Sequence, residues 1–338
     1  MSNSRVRVAL IGAGTMANQF HYPSLASFPD VDLVAICDLL PDKARSTAER
    51  FGIPANRAYS DFRRMLDESE PDAVYILMPP QILYEPVHAA LVRGLHVFVE
   101  KPLALTTHQA RMLAYTAGEH SCLAMVGFQR RFVPAATALR ERVETHGPIH
   151  FADVSFLKRT FDLSQPAGFY DGAIDAFTSD GIHAVDTLRW LCGGEVEEVS
   201  TQIRRRSIAG PVPNTYSALV SFSSGAVGTV HYNLMTGRRI FRAEFSGPNV
   251  TAYVDADRDS WFASDNEEPE PVSSKEFGRS ALTGDESLQP HHWLGFWHEH
   301  RHFIDSIKTG TQPLTNFAEA VKSMELVERI IENGSRQR

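Results

Sequence analysis

VRVALIGAGTMA, at residues 6–17, decides how this chain begins to fold. The apolar run is typical of a buried strand, and Gly12 and Gly14 follow it in a tight turn that opens a helix. A second apolar strand over 31–37 ends at Asp38. In this setting the glycines bring the backbone close to a pyrophosphate, and free N–H groups at the helix start bind it. The pattern predicts a dinucleotide-binding unit, with Gly12, Gly14, Thr15, Met16 and Asp38 as binding residues.

Length and composition indicate two globular domains and a small-molecule partner. The chain has 338 residues, of which 43% are hydrophobic and 22% charged, and this length exceeds one ordinary core. A formal net charge of −8 disfavours binding to nucleic acid or an anionic membrane, because both need a basic face. No apolar run reaches the roughly 20 residues that cross a bilayer. Three separated cysteines, Cys37, Cys122 and Cys192, indicate a reducing compartment, so we expect a cytoplasmic protein.

The order of predicted elements changes near residue 126. Before it, buried strands alternate with helices, which is typical of a doubly wound parallel sheet in an α/β Rossmann domain over 1–126. Between 196 and 263 several strands follow one another with short turns, which predicts an open, mainly antiparallel sheet in a second α/β domain over 127–338. Residues 264–290 are predicted to be loop. Two helices, near 292–308 and 316–333, are predicted to close the chain, and they could pack back on the first domain.

Two segments carry residues suited to proton transfer. Glu100, Lys101 and Pro102 follow a predicted strand at the carboxyl edge of the sheet, where ligands of such folds bind. A lysine there can exchange a proton while a hydride moves, although a plain surface lysine is the alternative. In a predicted helix, His183 and Asp186 are three residues apart, so the carboxylate could orient the imidazole. The alternative is a buried histidine in a helix that Asp180 caps.

Taken together, five motifs occur in an order that resembles one enzyme family, the glucose–fructose oxidoreductase, inositol dehydrogenase and MocA family. They are the opening glycine turn, Met78-Pro79-Pro80, Glu100-Lys101-Pro102-Leu103-Ala104, Val126-Gly127-Phe128-Gln129-Arg130-Arg131-Phe132 and Gly181-Ile182-His183-Ala184-Val185-Asp186. The likeness spans nearly the whole chain. It implies an NAD(P)-binding Rossmann domain and a second domain that forms the substrate site and often the oligomer contacts, so we expect a homodimer or homotetramer.

The resemblance also implies roles for individual residues. Lys101 would contact substrate and the nicotinamide ribose, and His183 would be the acid or base for the substrate hydroxyl. Met78 and Pro79 would lie along the cofactor, with Glu100 close to its nicotinamide end. The peptide bond between Lys101 and Pro102 is expected to be cis.

One position departs from the family pattern. Many members carry an aspartate four residues before the histidine, and this chain has Ser179 there. Either Asp180 substitutes through a shifted turn, or His183 works with Lys101 alone. The departure leaves open a loss of reductase chemistry, which would make the protein a cofactor-binding sensor.

Asp38 favours NAD over NADP as cofactor. A carboxylate at the end of the second strand accepts hydrogen bonds from the ribose 2′-hydroxyl and repels a 2′-phosphate. The next residues, Leu39 and Leu40, provide no arginine for a phosphate. Lys43 could still reach one, so NADP stays possible.

Several polar and aromatic residues are weaker candidates for ligand contact. Gln129 is expected near the cofactor, and Arg159, Tyr170, Asp180 and His183 near the substrate, while Trp261 is another ring that could stack on a sugar. For each of them the alternative is an ordinary ion pair or core position.

His298-Glu299-His300-Arg301-His302 matches the pattern H-E-x-x-H of zinc hydrolases. The metzincin extension fails, because Asp305 and Lys308 stand where glycine and histidine would be required. A third ligand from Glu319 or Glu325 has no motif to support it. We therefore expect no metal, and a zinc hydrolase is only a remote alternative.

The sequence thus favours an NAD(P)-dependent oxidoreductase that acts on a secondary alcohol or ketone of a sugar, inositol or related polyol. One alternative uses the same cofactor in a glycosidase that oxidises, eliminates and reduces again. No local motif indicates which polyol is the substrate, because loops of the second domain select it.

Overall fold

The computed structural model describes residues 5–159, 170, 172–205, 213–255, 258–279, 282 and 287–335. The chain divides into two compact units. The first comprises Met1–Gln129, Gln289–His292 and Phe296–Val321, and the second comprises Arg130–Leu288, Trp293–Gly295 and Lys322–Arg338. Among the described residues no helix combines the length and apolar character that crossing a membrane requires.

The first unit is built on a six-stranded parallel sheet in the order β3-β2-β1-β4-β5-β6. Its strands are β1 (Val6–Ile11), β2 (Val31–Cys37), β3 (Ala58–Tyr59), β4 (Ala73–Ile76), β5 (His96–Glu100) and β6 (Ala124–Gly127). The central strands are almost wholly buried because helices cover both faces. This order reverses at β1 and β4, which places a crevice at their carboxyl ends. The predicted doubly wound sheet is confirmed.

Helices connect these strands as the capping residues predict. They are α1 (Tyr22–Ala26, after a π-helical turn over Ala17–His21), α2 (Pro41–Arg50), α3 (Phe62–Ser69), α4 (Pro80–Leu91) and α5 (Thr107–Glu119). Asp61 caps α3 by accepting the N–H of Arg63 at 2.8 Å, and Thr106 caps α5 by accepting that of Gln109 at 3.2 Å. Pro41 opens α2, where its missing N–H costs nothing.

Near its end the chain returns to the first unit through Gln289–His292 and Phe296–Val321, and from Lys322 onward it belongs to the second unit. The helical segments here are α9 (Pro290–Trp293), α10 (Phe296–Thr309) and α11 (Phe317–Ser335), numbered after three helices of the second unit. Because α9 ends at Trp293 and α10 begins at Phe296, the single helix predicted over 292–308 is interrupted. Gly295 has φ +94°, a value that ends a helix. The indole of Trp297 donates to Ser27 Oγ at 3.0 Å, and Arg301 pairs with Asp30 at 2.8 Å. Beyond β6, Thr315 Oγ1 donates to the carbonyl of Val126 at 2.7 Å.

The second unit contains a mixed eight-stranded sheet in the order β14-β13-β12-β11-β7-β10-β9-β8. The strands are β7 (Phe151–Arg159), β8 (Val196–Arg204), β9 (Thr215–Phe222), β10 (Val227–Asn233), β11 (Met235–Gly247), β12 (Val250–Asp255), β13 (Asp259–Ser264) and β14 (Glu270–Ser273). Only the β7–β10 pair is parallel. The predicted mainly antiparallel sheet is therefore confirmed. Its strands alternate buried and more exposed residues, as in β9, so one face carries the core.

Two longer helices pack in the second unit, α6 (Pro134–Glu144) and α7 (Ile182–Cys192). Every residue of α7 is buried. The prediction of loop over 264–290 was wrong in part, because β14 and a short helix, α8 (Ser274–Gly278), lie inside it. Glu270 in that acidic stretch pairs with Arg142 at 2.7 Å, and Ser273 caps α8.

Candidate cofactor and catalytic site

The opening turn has the geometry that a dinucleotide requires. Gly12 has φ +107°, and a Cβ on it would lie 2.4 Å from the carbonyl oxygen of Leu77, so only glycine fits. At Gly14, by contrast, a Cβ would meet no atom within 4 Å. The turn is therefore closed on the side of the sheet and open on the side where a pyrophosphate would approach.

Asp38 lies directly after β2 and is held by backbone donors on both oxygens. The N–H of Ala13 donates to Oδ2 at 2.8 Å, and that of Leu40 donates to Oδ1 at 2.9 Å. Each carboxylate oxygen has a second lone pair that can accept a ribose hydroxyl. These bonds fix the carboxylate beside the glycine turn, so the predicted ribose contact and the predicted phosphate contact lie in one place.

A cleft with a volume of about 390 Å³ lies along the carboxyl edge of the first sheet. Its lining includes five predicted cofactor residues, Gly12, Gly14, Asp38, Met78 and Pro79. It also includes residues that were not predicted as cofactor contacts, chiefly Ser60, Asp61, Phe62, Arg63 and Ile82. Because β3 lies next to β2, the loop after β3 forms the outer wall of the cleft. Shape, glycine turn and anchored aspartate together fit the adenosine half of NAD.

Arg63 is the cation of this wall. Its guanidinium pairs with Glu85 and lies 4.6 Å from the ring centroid of Phe62. The carboxylate of Glu85 therefore already partners the charge that a 2′-phosphate would need. Thr15 and Met16, the remaining predicted residues of the turn, are exposed, with Met16 47% accessible.

Glu100 and Lys101 follow at the carboxyl end of β5. The backbone N–H of Lys101 donates to Glu100 Oε2 at 3.1 Å, and the Lys101–Pro102 peptide is cis, as the resemblance implies. Glu100 Oε1 lies 2.8 Å from Nε2 of His21. Burial alone would raise the pKa of Glu100, but hydrogen bonding to His21 and the nearby Lys101 charge hold it below the usual value. Glu100 is thus an anion at neutral pH, fixed beside the lysine.

Gln129 ends the first unit. It is 8% exposed and follows β6, whose Gly127 pairs with Glu100. Like Glu100 and Lys101, it is therefore placed at the carboxyl edge of the sheet.

In the second unit, the predicted catalytic histidine lies in the first turn of α7. His183 is 7% exposed, and its ring centroid lies 6.3 Å from that of Phe156. Ser179 and Asp180 belong to a π-helical turn over Phe177–Gly181 that runs into α7. Asp180 forms an ion pair with Lys158. The aspartate proposed as a substitute for the missing family carboxylate therefore has a lysine as partner.

Asp186 has partners on both oxygens. Arg131 donates to it through Nε at 2.7 Å and Nη2 at 2.6 Å, and Ser323 Oγ donates to Oδ1 at 2.8 Å. Ser323 also accepts from Arg189 at 2.9 Å. The bidentate pair is buried, with side-chain exposures of 4% and 1%. This geometry makes Asp186 an anchor for Arg131 within the core.

The weaker candidates of the second unit are placed individually. Arg159 is exposed at the end of β7, and Tyr170 has φ +55° in a stretch where most neighbouring residues are outside the described part. Trp261 stacks on Tyr253 at 5.5 Å between ring centroids, which gives it a protein partner on one face.

Comparison with known proteins agrees with this geometry. The NAD-binding Rossmann-fold domain of the Gfo/Idh/MocA oxidoreductase family matches residues 6–128, and the C-terminal domain of that family matches residues 138–253. An inositol 2-dehydrogenase of Saccharopolyspora erythraea is 30% identical over 68% of this chain and 67% of that protein. The chain belongs to the Gfo/Idh/MocA family. It is therefore an NAD(P)-dependent oxidoreductase by family, which confirms the predicted enzyme class and the predicted dinucleotide cofactor.

Two further proteins are similar over different shares of the chain. D-glucoside 3-dehydrogenase of Escherichia coli K12 is 35% identical over 161 residues, so the match spans 47% of this chain and 45% of that relative. A solved levoglucosan dehydrogenase, in complex with NADH and L-sorbose, has a TM-score of 0.86 at 22% identity and covers 98% of this chain and 97% of its own. That likeness shows the shared fold.

The H-E-x-x-H pattern lies on α10, a helix that belongs to the NAD-binding unit of this family member. His302 Nε2 accepts the N–H of Leu314 at 2.9 Å, and burial lowers the pKa of His298 to about 4. Among the described residues, the one group of three side chains close enough to share a metal is His21, Glu299 and His300, which includes neither outer histidine of the pattern. The pattern therefore does not form a hydrolase site in the described part of the chain.

Proposed function

We propose that this protein is an NAD-dependent dehydrogenase that transfers a hydride between nicotinamide and a secondary alcohol or ketone of a sugar, inositol or related polyol. The observation that carries the proposal is Asp38, anchored by two backbone N–H groups beside the Gly12 turn in a cleft of dinucleotide size. Membership of a dehydrogenase family supports the same reaction class.

We infer NAD rather than NADP as the preferred cofactor. The Asp38 carboxylate would repel a 2′-phosphate, and the Arg63 charge is already partnered by Glu85. Residues proposed to hold the cofactor are Gly12, Gly14, Thr15, Met16, Asp38, Met78, Pro79, Glu100, Lys101 and Gln129.

When bound, the nicotinamide supplies the hydride acceptor or donor. His183 is proposed to take the proton from the substrate hydroxyl as a general base. Lys101 would place its positive charge against the oxygen on which negative charge develops, which lowers the barrier. Asp180 and Asp186 are proposed to support His183 by fixing its surroundings, through Lys158 and through Arg131 respectively.

Substrate selection and assembly are proposed for the second domain, 127–338, and cofactor binding for 1–126. Arg159, Tyr170, Asp180 and His183 are the proposed substrate contacts. Three apolar side chains on the more exposed strand positions, Phe151, Leu219 and Val227, are 39%, 48% and 39% accessible. We propose that this sheet face joins copies into a homodimer or homotetramer, because contiguous exposed apolar surface favours association. A cytoplasmic protein with neither nucleic-acid nor membrane partners fits the net charge of −8.

The decisive experiment combines a substrate panel with Lys101→Met. A panel of inositols, aldoses and glycosides is screened for absorbance of NADH at neutral pH. On the substrate found, Lys101→Met is expected to lower kcat on the order of 10²-fold or more while NAD still binds, because methionine keeps the length of the side chain and removes its charge. Lys275→Met is the matched control and should keep parental turnover, since Lys275 is an exposed residue on α8. Parental kcat in Lys101→Met would exclude the proposed role.

A second candidate is a redox glycosidase, favoured by the relative whose name is D-glucoside 3-dehydrogenase. Oxidation at C3 would make the proton at C2 acidic enough for elimination of the aglycone from C1, water would then add to the unsaturated ketone at C1, and the final reduction would return the hydride. Such an enzyme would cleave an aryl glycoside with catalytic NAD and accumulate no NADH. Net NADH formation on any polyol would instead support the dehydrogenase and exclude a sensor without chemistry.

A further inference from the structure

A chain of close polar contacts links helix α10 to the lysine loop inside the NAD-binding unit. Nε2 of His300 lies 2.9 Å from Nδ1 of His21, and Nε2 of His21 lies 2.8 Å from Oε1 of Glu100. Oε2 of the same carboxylate accepts the backbone N–H of Lys101 at 3.1 Å. The contacts form one continuous path from α10 through the first helical turn to β5, and they join residues 279 positions apart in sequence.

The histidine end of this path is sealed from solvent, whereas the Glu100 side chain at its other end is 20% exposed. His21, His300 and Glu299 are each 0% exposed. The ring of Phe98 lies 5.0 Å from His300 and 6.0 Å from His21, measured between centroids, and Phe296 packs edge-on against His21 at 5.5 Å. In such a dry, aromatic environment a hydrogen bond is strong and a broken one is costly, because no water replaces the lost partner.

Glu299 lies next to this path and carries no charge partner. Neither of its carboxylate oxygens has a hydrogen-bond partner among the described residues. Burial and the nearby negative charge of Glu100 raise the pKa of Glu299 well above its usual value. Burial therefore favours the protonated form of Glu299, whereas the contacts of Glu100 favour its ionised form.

His21, His300 and Glu299 are also the three side chains close enough to share a metal ion. The distance between the two histidine nitrogens distinguishes the two interpretations. Two nitrogens on one tetrahedral zinc, each about 2.0–2.1 Å from the ion, are about 3.3 Å apart. The observed 2.9 Å between His21 Nδ1 and His300 Nε2 is the length of an N–H···N hydrogen bond.

We propose that His21 and His300 are positioning residues that fix Glu100 and thereby the lysine loop. The tautomer with its proton on Nε2 directs that proton toward the Glu100 anion, 2.8 Å away, so Nδ1 of His21 is the atom that faces His300. A single proton between the two imidazoles then fixes both ring orientations. This role rests on the proposed function of Lys101, because it explains how the loop that carries the lysine is held in one place.

The first test compares two substitutions at position 300 in the full-length protein. His300→Gln keeps an amide that can hydrogen-bond to His21, whereas His300→Leu leaves the His21 nitrogen without a partner. Displacement of a catalytic group by a fraction of an ångström is expected to lower kcat in His300→Leu on the order of tenfold. The Kd for NAD, from calorimetry, should stay within about twofold because the nucleotide cleft is intact. His300→Gln should recover most of kcat.

Tyr75→Phe is the matched control. Tyr75 is fully buried, its ring lies 5.3 Å from His300, and its hydroxyl makes no hydrogen bond among the described residues. This variant alters the same core without touching the path, so kcat should be parental. If His300→Leu and Tyr75→Phe change kcat equally, or if folded His300→Leu keeps parental kcat, the proposal is wrong.

The second test needs no substrate and separates this proposal from the proposed function. In ¹⁵N-histidine-labelled protein without cofactor, the path predicts two slowly exchanging imidazole N–H protons far downfield, assigned to His21 and its partner. Both should persist in Glu299→Gln. His300→Gln removes the proton of the replaced ring and should keep the slowly exchanging His21 proton, whereas in His300→Leu the His21 proton should exchange faster because its ring is no longer held. If His300→Leu does not fold, the spectra of the parent and the two glutamine variants decide. Absence of these protons in the parent, or one tightly held zinc per chain, would overturn the proposal even if the enzyme oxidises polyols.

Discussion

The cofactor cleft of the first unit and the histidine helix of the second differ in how their polar groups are held. In the cleft, Asp38 is fixed by backbone N–H groups of Ala13 and Leu40, both within two residues of a turn or strand end. On α7 and its leading turn, Asp180 and Asp186 are fixed by side chains, Lys158 and Arg131. Backbone-held groups follow from local sequence, whereas side-chain pairs depend on residues brought together by the whole fold.

The two kinds of site should differ in how they tolerate substitution. A site made from turn geometry tolerates substitution at most side chains, provided that Gly12 and Asp38 remain. A site made from side-chain pairs changes with each partner.

The largest expected effect is on the stability of the second unit. Asp186→Asn removes one charge of a buried pair and leaves Arg131 uncompensated, so unfolding free energy should fall by about 3–5 kcal/mol. Equilibrium unfolding in urea measures the change. Asp42→Asn is the control, since Asp42 is 93% exposed in its pair with Arg45 and should cost under about 1 kcal/mol. If Asp186→Asn also lowered the unfolding free energy by less than about 1 kcal/mol, the Asp186–Arg131 pair would not be a structural anchor.

Asp38→Asn probes the cofactor side of the comparison. The amide cannot accept hydrogen bonds on both of its terminal atoms, so it loses one backbone contact as well as the charge toward the ribose. We expect the Kd for NAD to rise about tenfold or more, since a hydrogen bond to a charged group contributes about 1.5–3 kcal/mol. The Kd for NADP should rise less, because the repulsion of its phosphate is removed.

Calorimetry with both dinucleotides measures these shifts. Asp32→Asn is the control for Asp38→Asn, because Asp32 lies on the same strand but pairs with Arg5 away from the cleft. Equal weakening for NAD and NADP would show that the aspartate holds the turn without choosing the cofactor.

A pH series on Glu299→Gln tests the buried acid of the first unit. The raised pKa means that the native protein keeps a proton that the unfolded chain releases above about pH 4.3. Parental stability should therefore fall as pH rises from that value toward the native pKa, by up to about 1.4 kcal/mol per pH unit. Glutamine has no such proton, so the stability of the variant relative to the parent should increase with pH.

Glu100, His21 and His300 lie next to Glu299, and for this reason the measured quantity is the difference between variant and parent. Thermal unfolding at about pH 5 and about pH 8 gives that difference. Glu268→Gln, at an exposed glutamate, should show no trend. A difference that shrinks as pH rises would indicate that Glu299 is an anion in the native state.

The smallest effect is expected at the outer wall of the cleft. Arg63 is half exposed and paired with Glu85, so Arg63→Gln should change the Kd for NAD by no more than about fivefold, as is usual for exposed ion pairs. Glu85→Gln serves as the complementary variant, since it frees the guanidinium and should tighten NADP binding modestly. A large loss of NAD affinity in Arg63→Gln would make the wall as important as Asp38.

The sequence predicted the elements whose signals are local. The glycine turn, Asp38 and the change to an antiparallel sheet all depend on short patterns, and each is present. The family motifs pointed to the cis peptide at Pro102 in the same way.

What the sequence did not predict depends on distant contacts or on weak patterns. The wall residue Arg63 reaches the cleft because β3 lies beside β2, which only the sheet order reveals. The contact between His21 and His300 joins opposite ends of the chain. β14 is four residues long and borders an acidic loop. Within it Val272 is buried and Glu270 is paired with Arg142. So short a stretch shows too little alternation of apolar and polar residues to distinguish a strand from a loop.

The return of the chain to the first unit affects how the protein is made. Trp297, Arg301 and Thr315 contact residues 27, 30 and 126, so the nucleotide-binding half lacks part of its own interior until the ribosome has passed residue 315. A fragment that stops at residue 126 would expose the surface that α10 covers. We therefore expect stable cofactor binding during synthesis only after residue 315 has emerged, which would couple maturation of the two halves.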